Sequence, residues 1–276
     1  MGDITWKLNS YDLDEALGAF LTDISVWRPN VTTRRSPITI PGVHGTTSPA
    51  RVVFDEPQVT ISPKWNCADQ AELEEKTNQA RALFTQPTLL LGRVSGGLET
   101  AAKADLVSIS ESDFIVGQTA TCTVLLAIPG VFFRSPVVTG DDIDFSTDLA
   151  SVEIPGLSGS TGPVPDATIR ITGPCTNPYV TDPLSGTGMS WPGSIDAGQY
   201  LFLRPRPLTG RVSTDPDSWV AGGTDVSAAV SFPAAGRLQL WPVVQTATTR
   251  KVLLSASGSA KTAATKLAVR AQGSYL

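Results

Sequence analysis

The chain has 276 residues, of which 41% are hydrophobic and 17% are charged, and its formal net charge at pH 7 is −5. This composition is typical of a globular protein of about two domains, and the acidic balance argues against sequence-specific nucleic-acid binding. No apolar run reaches the roughly 18 residues that a membrane-spanning helix needs, so we expect no membrane insertion.

Short alternating apolar runs, bounded by glycine, proline, serine and aspartate, recur along the chain and predict a mainly β protein. One segment in the first part instead has helical spacing. Its single stripe comprises Leu73, Thr77, Ala80 and Phe84. Asn66 is a candidate N-cap, and the proline at position 87 ends the pattern. We therefore predict an N-terminal β-sandwich-like domain over residues 1–135, with one α-helix at about 67–86 that packs on a sheet.

The only histidine, His44, lies in the segment ITIPGVHGTT, residues 38–47. Pro41 and Gly42 precede it and a second glycine follows it. This is turn chemistry, so we interpret His44 as a hairpin corner rather than a catalytic base. The sequence lacks nucleophile-elbow, phosphate-loop, zinc-protease and dinucleotide-binding motifs. We predict no catalytic residue and no cofactor, and therefore no enzyme.

The segment VEIPGLSGSTGPVP, residues 152–165, is rich in glycine, proline and serine. Such a composition is unsuited to a central strand, so we predict a linker over residues 136–164. Beyond it, the run ATIRIT alternates Ile169 and Ile171 with polar residues, which is the pattern of a half-buried strand. We predict a second β domain over residues 165–276.

An acidic cluster, DDIDFSTDLASVE, has the spacing of a calcium-binding loop. Its candidate oxygen ligands are Asp142, Asp144, Ser146, Asp148 and Glu153. The sixth position of such a loop needs glycine for a sharp turn but is Thr147 here, and no helical pattern flanks the cluster. We therefore interpret the cluster as a solvated acidic connection and predict no metal site.

Trp191 and Trp219, in the second half, are candidates for stacking on sugar rings. Tryptophan in β proteins more often fills the core or an interface. A sugar site also needs convergent polar groups, for which Asn177, Arg204 and Arg206 are candidates. Core or interface packing is the interpretation that we prefer.

Charge is segregated along the sequence. No acidic residue follows Asp225, whereas six basic residues do: Arg237, Arg250, Lys251, Lys261, Lys266 and Arg270. A basic tail could seek an acidic partner. Because apolar alternation continues through this segment, we instead expect its strands to pair with acidic strands of the same chain.

Three cysteines, Cys67, Cys122 and Cys175, are widely spaced. No pair has the spacing of a metal knuckle or a redox motif, and the number of cysteines is odd. We therefore predict three buried, reduced thiols in a protein that is assembled in the cytoplasm.

The order of several segments resembles that of siphophage distal tail (Dit) proteins. In the first half these segments are TWKLNSYDLD, DISVWRP and IPGVHG, then the helix and a strand pair ending in IPGVFF. In the second half they are PDATIRITGPCTNPYVTDPLSGTGMSWPGSIDAGQYLFLRPRP, SFPAAGRLQLWP and a final SYL. Their succession over nearly the whole chain carries the resemblance.

The resemblance implies a C-terminal galectin-like β-sandwich, whose last strand returns to the first domain in some members. It also implies a homohexameric ring at the phage tail tip, with tail-tube protein above it, a tail-tip or baseplate hub protein below it, and DNA passing through its channel. The protein would then be a virion component assembled in the host cytoplasm. Tryptophan and arginine often anchor interfaces, and our candidates for subunit contacts are Trp27, Arg28, Pro41, Gly42 and His44.

Two alternative functions stay open. A carbohydrate-binding module would recognise a host cell-wall glycan through Trp191 or Trp219, but this chain has Arg204 where Dit proteins often carry an acid. A tail-associated hydrolase would need paired carboxylates, and adjacent acids such as Asp141 and Asp142 point apart on a strand. A structural ring adaptor is the function that we expect.

Overall fold

The structure is a computed structural model that describes residues 4–24, 32–34, 53–111, 119–246 and 249–276. The chain divides into two compact units, Met1–Phe133 with Leu276, and Arg134–Tyr275. Most of the described residues lie in strands, so the mainly β fold class is confirmed. None of the described helices is long and apolar enough to cross a membrane.

The first unit is a β structure with two α-helices in its described residues. Its elements in chain order are β1 (Ile4–Leu8), β2 (Tyr11–Asp12), α1 (Leu13–Leu17), β3 (Phe20–Ile24), β4 (Thr33–Arg34), β5 (Val53–Phe54), β6 (Gln58–Asn66), α2 (Gln70–Phe84), β7 (Leu89–Ser95), β8 (Leu98–Glu111) and β9 (Thr119–Ala127). Antiparallel pairing runs in the order β2-β1-β7-β8-β9-β6-β3. The short strands β4 and β5 pair with each other.

Strand alternation builds the core of the first unit. Strand β6 buries every second side chain from Val59 to Trp65, as expected where successive side chains point to opposite faces of a sheet. The Trp65 indole N–H donates a hydrogen bond to the Leu17 carbonyl oxygen at 2.9 Å. That bond ties β6 to the end of α1.

Helix α2 begins at Gln70, later than predicted, because Asp69 rather than Asn66 is its N-cap. The Asp69 carboxylate accepts a hydrogen bond from the Glu72 backbone N–H at 2.8 Å, which satisfies one of the free amides of the first turn. Asn66 is instead the last residue of β6. Three members of the predicted stripe are buried, Thr77, Ala80 and Phe84, and Leu73 is half-buried.

The sequence did not predict the second helix of this unit, α1. Its five residues make little more than one turn, which is too short for apolar periodicity to reveal. Leu13 and Leu17 are buried, and Gly18 ends the helix in the left-handed conformation at φ 53°. Glycine takes this conformation with little steric cost.

The second unit is a two-sheet β structure. Its elements in chain order are β10 (Phe133–Thr139, beginning at the unit boundary), β11 (Ile143–Asp144), β12 (Leu149–Glu153), β13 (Thr168–Thr172), β14 (Cys175–Thr181), β15 (Gly188–Ser190), β16 (Ser194–Ile195), β17 (Tyr200–Pro205), β18 (Leu208–Ser213), β19 (Thr224–Asp225), a 3₁₀ turn (Ser227–Ala229), β20 (Pro242–Val244), β21 (Arg250–Ser259) and β22 (Lys266–Tyr275).

One sheet of the second unit, which we call sheet A, has the strand order β19-β18-β17-β13-β22, with β10 and β11 both paired to β22. The other, sheet B, has the order β12-β21-β14-β15, with β16 on β14 and β20 on β21. Side chains of both sheets share one core, including Ile169 and Leu201 from sheet A with Val180 and Leu254 from sheet B. The second unit is therefore a β-sandwich, and its likeness to galectins in particular stays a prediction.

Residues 136–164, predicted to be a linker, instead belong to the second unit. They contain β11, β12 and most of β10. Ile154 and Leu157 are buried in the sandwich core on either side of a turn at Gly156. The glycine, proline and serine residues of this segment form turns within a folded unit, and turns have the same composition as a linker. The last strand, β22, also lies in the second unit, where its first half, residues 266–270, pairs with β13.

Candidate functional site

The outer face of sheet A carries a cluster of arginine and aromatic side chains, which we call the arginine face. Its core-facing positions are aliphatic, whereas the alternate positions of β13, β17, β18 and β22 carry Arg170, Arg204, Arg211, Arg270, Tyr200 and Phe202. The strand registers arrange these residues in cross-strand rows. Arg211, Phe202, Arg170 and Ala268 lie opposite one another in one row.

The neighbouring row consists of Thr209, Arg204, Thr168 and Arg270. Thr209 pairs with Arg204, and Thr168 pairs with Arg270. Since Ile169 pairs with Leu203 in the same antiparallel ladder, Thr168 lies opposite Arg204. Arg204 and Arg270 thus flank Thr168 on three adjacent strands.

The loop 214–223 crosses the first of these rows and is held there by its backbone. Arg170 donates a hydrogen bond to the Pro216 carbonyl oxygen at 3.0 Å, and Arg211 donates one to the Val220 carbonyl oxygen at 2.9 Å. These bonds place Trp219 against the sheet. Its ring meets the Phe202 ring edge-on with 5.5 Å between centroids, and the Arg170 guanidinium lies 5.0 Å from its centroid.

The two tryptophans that were candidates for sugar stacking are both covered. Trp191 is 8% exposed and belongs to the sandwich core. Trp219 is also 8% exposed, because Phe202 and Arg170 cover it. Neither indole therefore offers an open ring face to a sugar. Core packing, the preferred interpretation, describes Trp191, whereas Trp219 packs on the outer face of sheet A.

The acidic residues of the possible calcium loop take separate basic partners. The ion pairs are Asp142 with Arg170, Asp144 with Lys266, Asp148 with Lys261, and Glu153 with Lys251. No group of three or more acidic, cysteine or histidine side chains suited to a metal ion occurs within the described residues. The structure does not bring the four carboxylates together.

Hydrogen bonds lower the pKa values of three of these carboxylates. The Ser146 backbone N–H chiefly lowers the pKa of Asp144, and the lysine partners chiefly lower the pKa of Asp148 and of Glu153. Because three lysines of the basic C-terminal segment pair with acids of residues 136–164, the expected neutralisation within the chain is confirmed.

Lys261 is the most enclosed of these lysines. Its side chain is 8% exposed, and its ammonium lies 4.4 Å from the centroid of the Phe145 ring. A cation over an aromatic face is attracted by the ring quadrupole. Phe145 is itself fully buried, so this pair joins the charged surface to the sandwich core.

All three cysteines are free and buried, as predicted. Burial raises the pKa of the Cys67 and Cys175 thiols and raises the pKa of Cys122 to about 11. Thiols with raised pKa values are poor nucleophiles at neutral pH, because the thiolate is the reactive form. The cysteines therefore serve as small apolar core residues.

The five candidates for subunit contacts, Trp27, Arg28, Pro41, Gly42 and His44, lie outside the described residues. The sequence did not predict the arginine face. Arg204 and Arg270 are 66 positions apart in the sequence, and only the register of β17, β13 and β22 brings them to one row. The one signal in the sequence was that both arginines alternate with apolar residues, which places each on the polar side of a predicted strand.

No protein-family model matches this sequence, and no curated protein matches it either. Among solved structures, it is similar to the crystal structure of the SPP1 Dit (gp 19.1) protein, described as a paradigm of the hub adsorption apparatus in phages that infect Gram-positive bacteria. The TM-score is 0.64 at 13% identity, over 99% of this chain and 100% of that one.

The phage P2 baseplate, in its activated conformation with Ca or with Sr, also matches at 8% identity, but the TM-score of 0.38 is too low to support an argument. The matched regions span 99% and 100% of this chain, respectively, and 100% of each P2 chain. Only the similarity to SPP1 Dit therefore supports a conclusion, and that conclusion is limited to the fold. This chain has the fold of a phage Dit hub protein.

Proposed function

We propose that this protein is a structural component of a phage tail tip. One observation carries the proposal, the likeness of the fold to the SPP1 Dit hub protein over 99% of this chain and 100% of that one. Because the match covers both whole chains, it includes both compact units of this protein. It is therefore more specific than a match to one β-sandwich, which is a common fold. The order of motifs along the sequence points independently to the same family.

In this proposal six copies form a closed ring that joins the tail tube to the tail-tip or baseplate hub. Head-to-tail contacts generate closed rings when the rotation between neighbouring subunits closes. Such a protein is a virion component, assembled in the host cytoplasm, and acts through its surfaces without catalysis. Buried, unreactive thiols suit that setting.

The native mass tests the proposal. Light scattering of the purified protein is expected to give six times the monomer mass of 29.1 kDa, and negative-stain microscopy should show rings with a central opening. If the protein is a monomer, the measurement is repeated with the tail-tube protein of the same phage as a template. A monomer in both experiments would contradict the ring.

A glycan array separates this function from the carbohydrate-binding alternative. We expect no saturable binding, because both candidate tryptophans are 8% exposed. Saturable binding of a cell-wall glycan that is lost in Trp219→Ala, but kept in the neighbouring Val220→Ala, would favour the alternative. Val220 is the matched control because its side chain is exposed and follows Trp219 directly.

A further inference from the structure

A cleft of about 170 Å³ opens on the arginine face beside Trp219. Arg204, Thr168 and Arg270 lie along it, and Val137 and Val220 are also among its lining residues. We propose that this cleft is a docking site for an acidic protein segment, in which one carboxylate binds between Arg204 and Arg270. This inference stands on the second unit alone and does not depend on the phage-tail proposal.

The spacing of the two arginines suits a single carboxylate. Arg204 and Arg270 occupy the strands on either side of Thr168, in the same cross-strand row. Neighbouring strands lie about 4.8 Å apart, so the two backbone positions are roughly 10 Å apart. Two long side chains can converge on one anion across that distance, with the Thr168 hydroxyl between them.

Both guanidinium groups lack a partner in the part of the chain that the structure describes. No ion pair or hydrogen bond joins either group to another described residue, and Nε of Arg204 is buried without an acceptor. Asp166 is the acid that lines the cleft, and it is already paired with Arg134. A buried donor without an acceptor is costly, and a carboxylate would supply acceptors for it.

The terminal guanidinium nitrogens of the neighbouring row do have acceptors, although Nε of Arg170, like Nε of Arg204, is buried without one. Arg170 pairs with Asp142 and donates to the backbone of Pro216, and Arg211 donates to the backbone of Val220. Loop 214–223 provides the two backbone acceptors, and neither of them bonds to Arg204 or Arg270. The contrast within one face points to an external acceptor for the second row.

The apolar side chains around the cleft favour a protein segment over an acidic glycan. Val137 and Val220 are 49% and 69% exposed, and Trp219 forms part of the wall. Exposed valines beside two cations suit an aspartate or glutamate with apolar neighbours. Tryptophan and arginine are also the residues that contribute most to protein interfaces.

The probe is a capped peptide, acetyl-Val-Glu-Val-amide, with acetyl-Val-Gln-Val-amide as its neutral match. The readout is the indole N–H signal of Trp219 in ¹⁵N-labelled full-length protein, assigned with Trp219→Phe. We expect the glutamate peptide to shift this signal at millimolar concentration and the glutamine peptide to leave it unchanged. The double variant R204Q/R270Q should weaken the response at least tenfold.

The control is Arg206→Gln, which removes one positive charge, against two in the double variant, at an exposed position two residues from Arg204 and should bind like the parent protein. Unfolding of the double variant in urea should match that of the parent, which separates lost binding from lost structure. The proposal is overturned by an equal response to both peptides or by a response that survives in R204Q/R270Q. A response to sodium sulfate or polygalacturonate without one to the glutamate peptide also overturns it.

Discussion

The two faces of sheet A in the second unit are built from different chemistry. The inner face is aliphatic, as in Ile169, Leu201 and Val269, and packs against sheet B. The outer face carries four arginines among aromatic and hydroxyl side chains. The inner face follows from burial of apolar area alone. The outer face depends on which arginines have an acceptor, and this difference separates residues that hold the fold from residues that are available for binding.

The largest effect is expected on the inner face. Leu201→Ala should lower the free energy of unfolding of the second unit by about 3 to 4 kcal/mol, because the side chain is fully buried between the two sheets and leaves a cavity. Urea unfolding measures the change. Thr209→Ala, on the outer side of the adjacent strand β18, is the control and should stay within about 0.5 kcal/mol. Equal losses in both variants would contradict the division between the faces.

A smaller loss is expected when the cover of the outer face is removed. Trp219→Ala should cost about 2 to 3 kcal/mol, since it deletes the ring contact with Phe202 and the cation–π contact with Arg170. Denaturation monitored by circular dichroism gives the value. Val220→Ala should be nearly neutral, and a neutral Trp219→Ala would mean that the loop does not stabilise the face.

The two rows of arginines should differ when each loses its charge. Arg170→Met removes an ion pair and a hydrogen bond to the Pro216 carbonyl oxygen, so we expect a loss of about 1 kcal/mol. Arg204→Met should cost less than that or stabilise the protein, because the Arg204 guanidinium has no acceptor among the described residues, whereas Arg170→Met removes two bonds. Paired urea titrations of the two variants decide the matter, and a greater loss for Arg204→Met would contradict our assignment.

The smallest effect concerns pH. Asp144, Asp148 and Glu153 have lowered pKa values in the folded protein, so the unfolded chain binds protons more readily at acidic pH. Their contribution to stability is present at neutral pH and is lost as the pH falls from about 4 through the folded pKa values. The urea midpoint should therefore drop over this range, and the drop should shrink in D144N/D148N/E153Q.

One buried acid acts in the opposite direction and serves as the internal control. Burial raises the pKa of Asp182. Protonation of Asp182 therefore favours the folded protein, and the contribution of this residue to the free energy of unfolding falls as the pH rises. Asp182→Asn should leave the acid sensitivity of the three paired carboxylates in place. An unchanged acid profile in the triple variant would assign the sensitivity to other groups.

Features that depend on local residues could be predicted from the sequence. The strand at residues 168–172 buries Ile169 and Ile171 as alternation predicts, and the stripe of α2 is buried at three of its four positions. Local rules failed where two signals compete. Asn66 and Asp69 are both capable caps, and the pairing of β6 with β9 through Asn66 gives the cap to Asp69.

Features that depend on strand pairing could not be predicted. The glycine- and proline-rich segment 152–165 resembles a linker in composition, but its apolar residues are buried only because two sheets meet around them. From the sequence alone, Arg204 is one of several candidate polar groups for a sugar, and nothing in the sequence places Arg270 near it. A single sequence does not reveal which strand lies beside which, and the cleft exists only once β17, β13 and β22 are placed in register.

The position of β22 also has a consequence for how the protein is made. This strand pairs with β13, β10 and β11, so the edge of β13 that faces away from β17 stays unpaired until residues 266–275 have been synthesised. A ribosome adds about 5 to 20 residues per second, so roughly 5 to 20 s separate the synthesis of β13 from that of its second partner. During that interval its apolar side chains are exposed to other nascent chains and to chaperones. Deletions near the C-terminus should therefore reduce the soluble yield of the second unit far more than their length suggests.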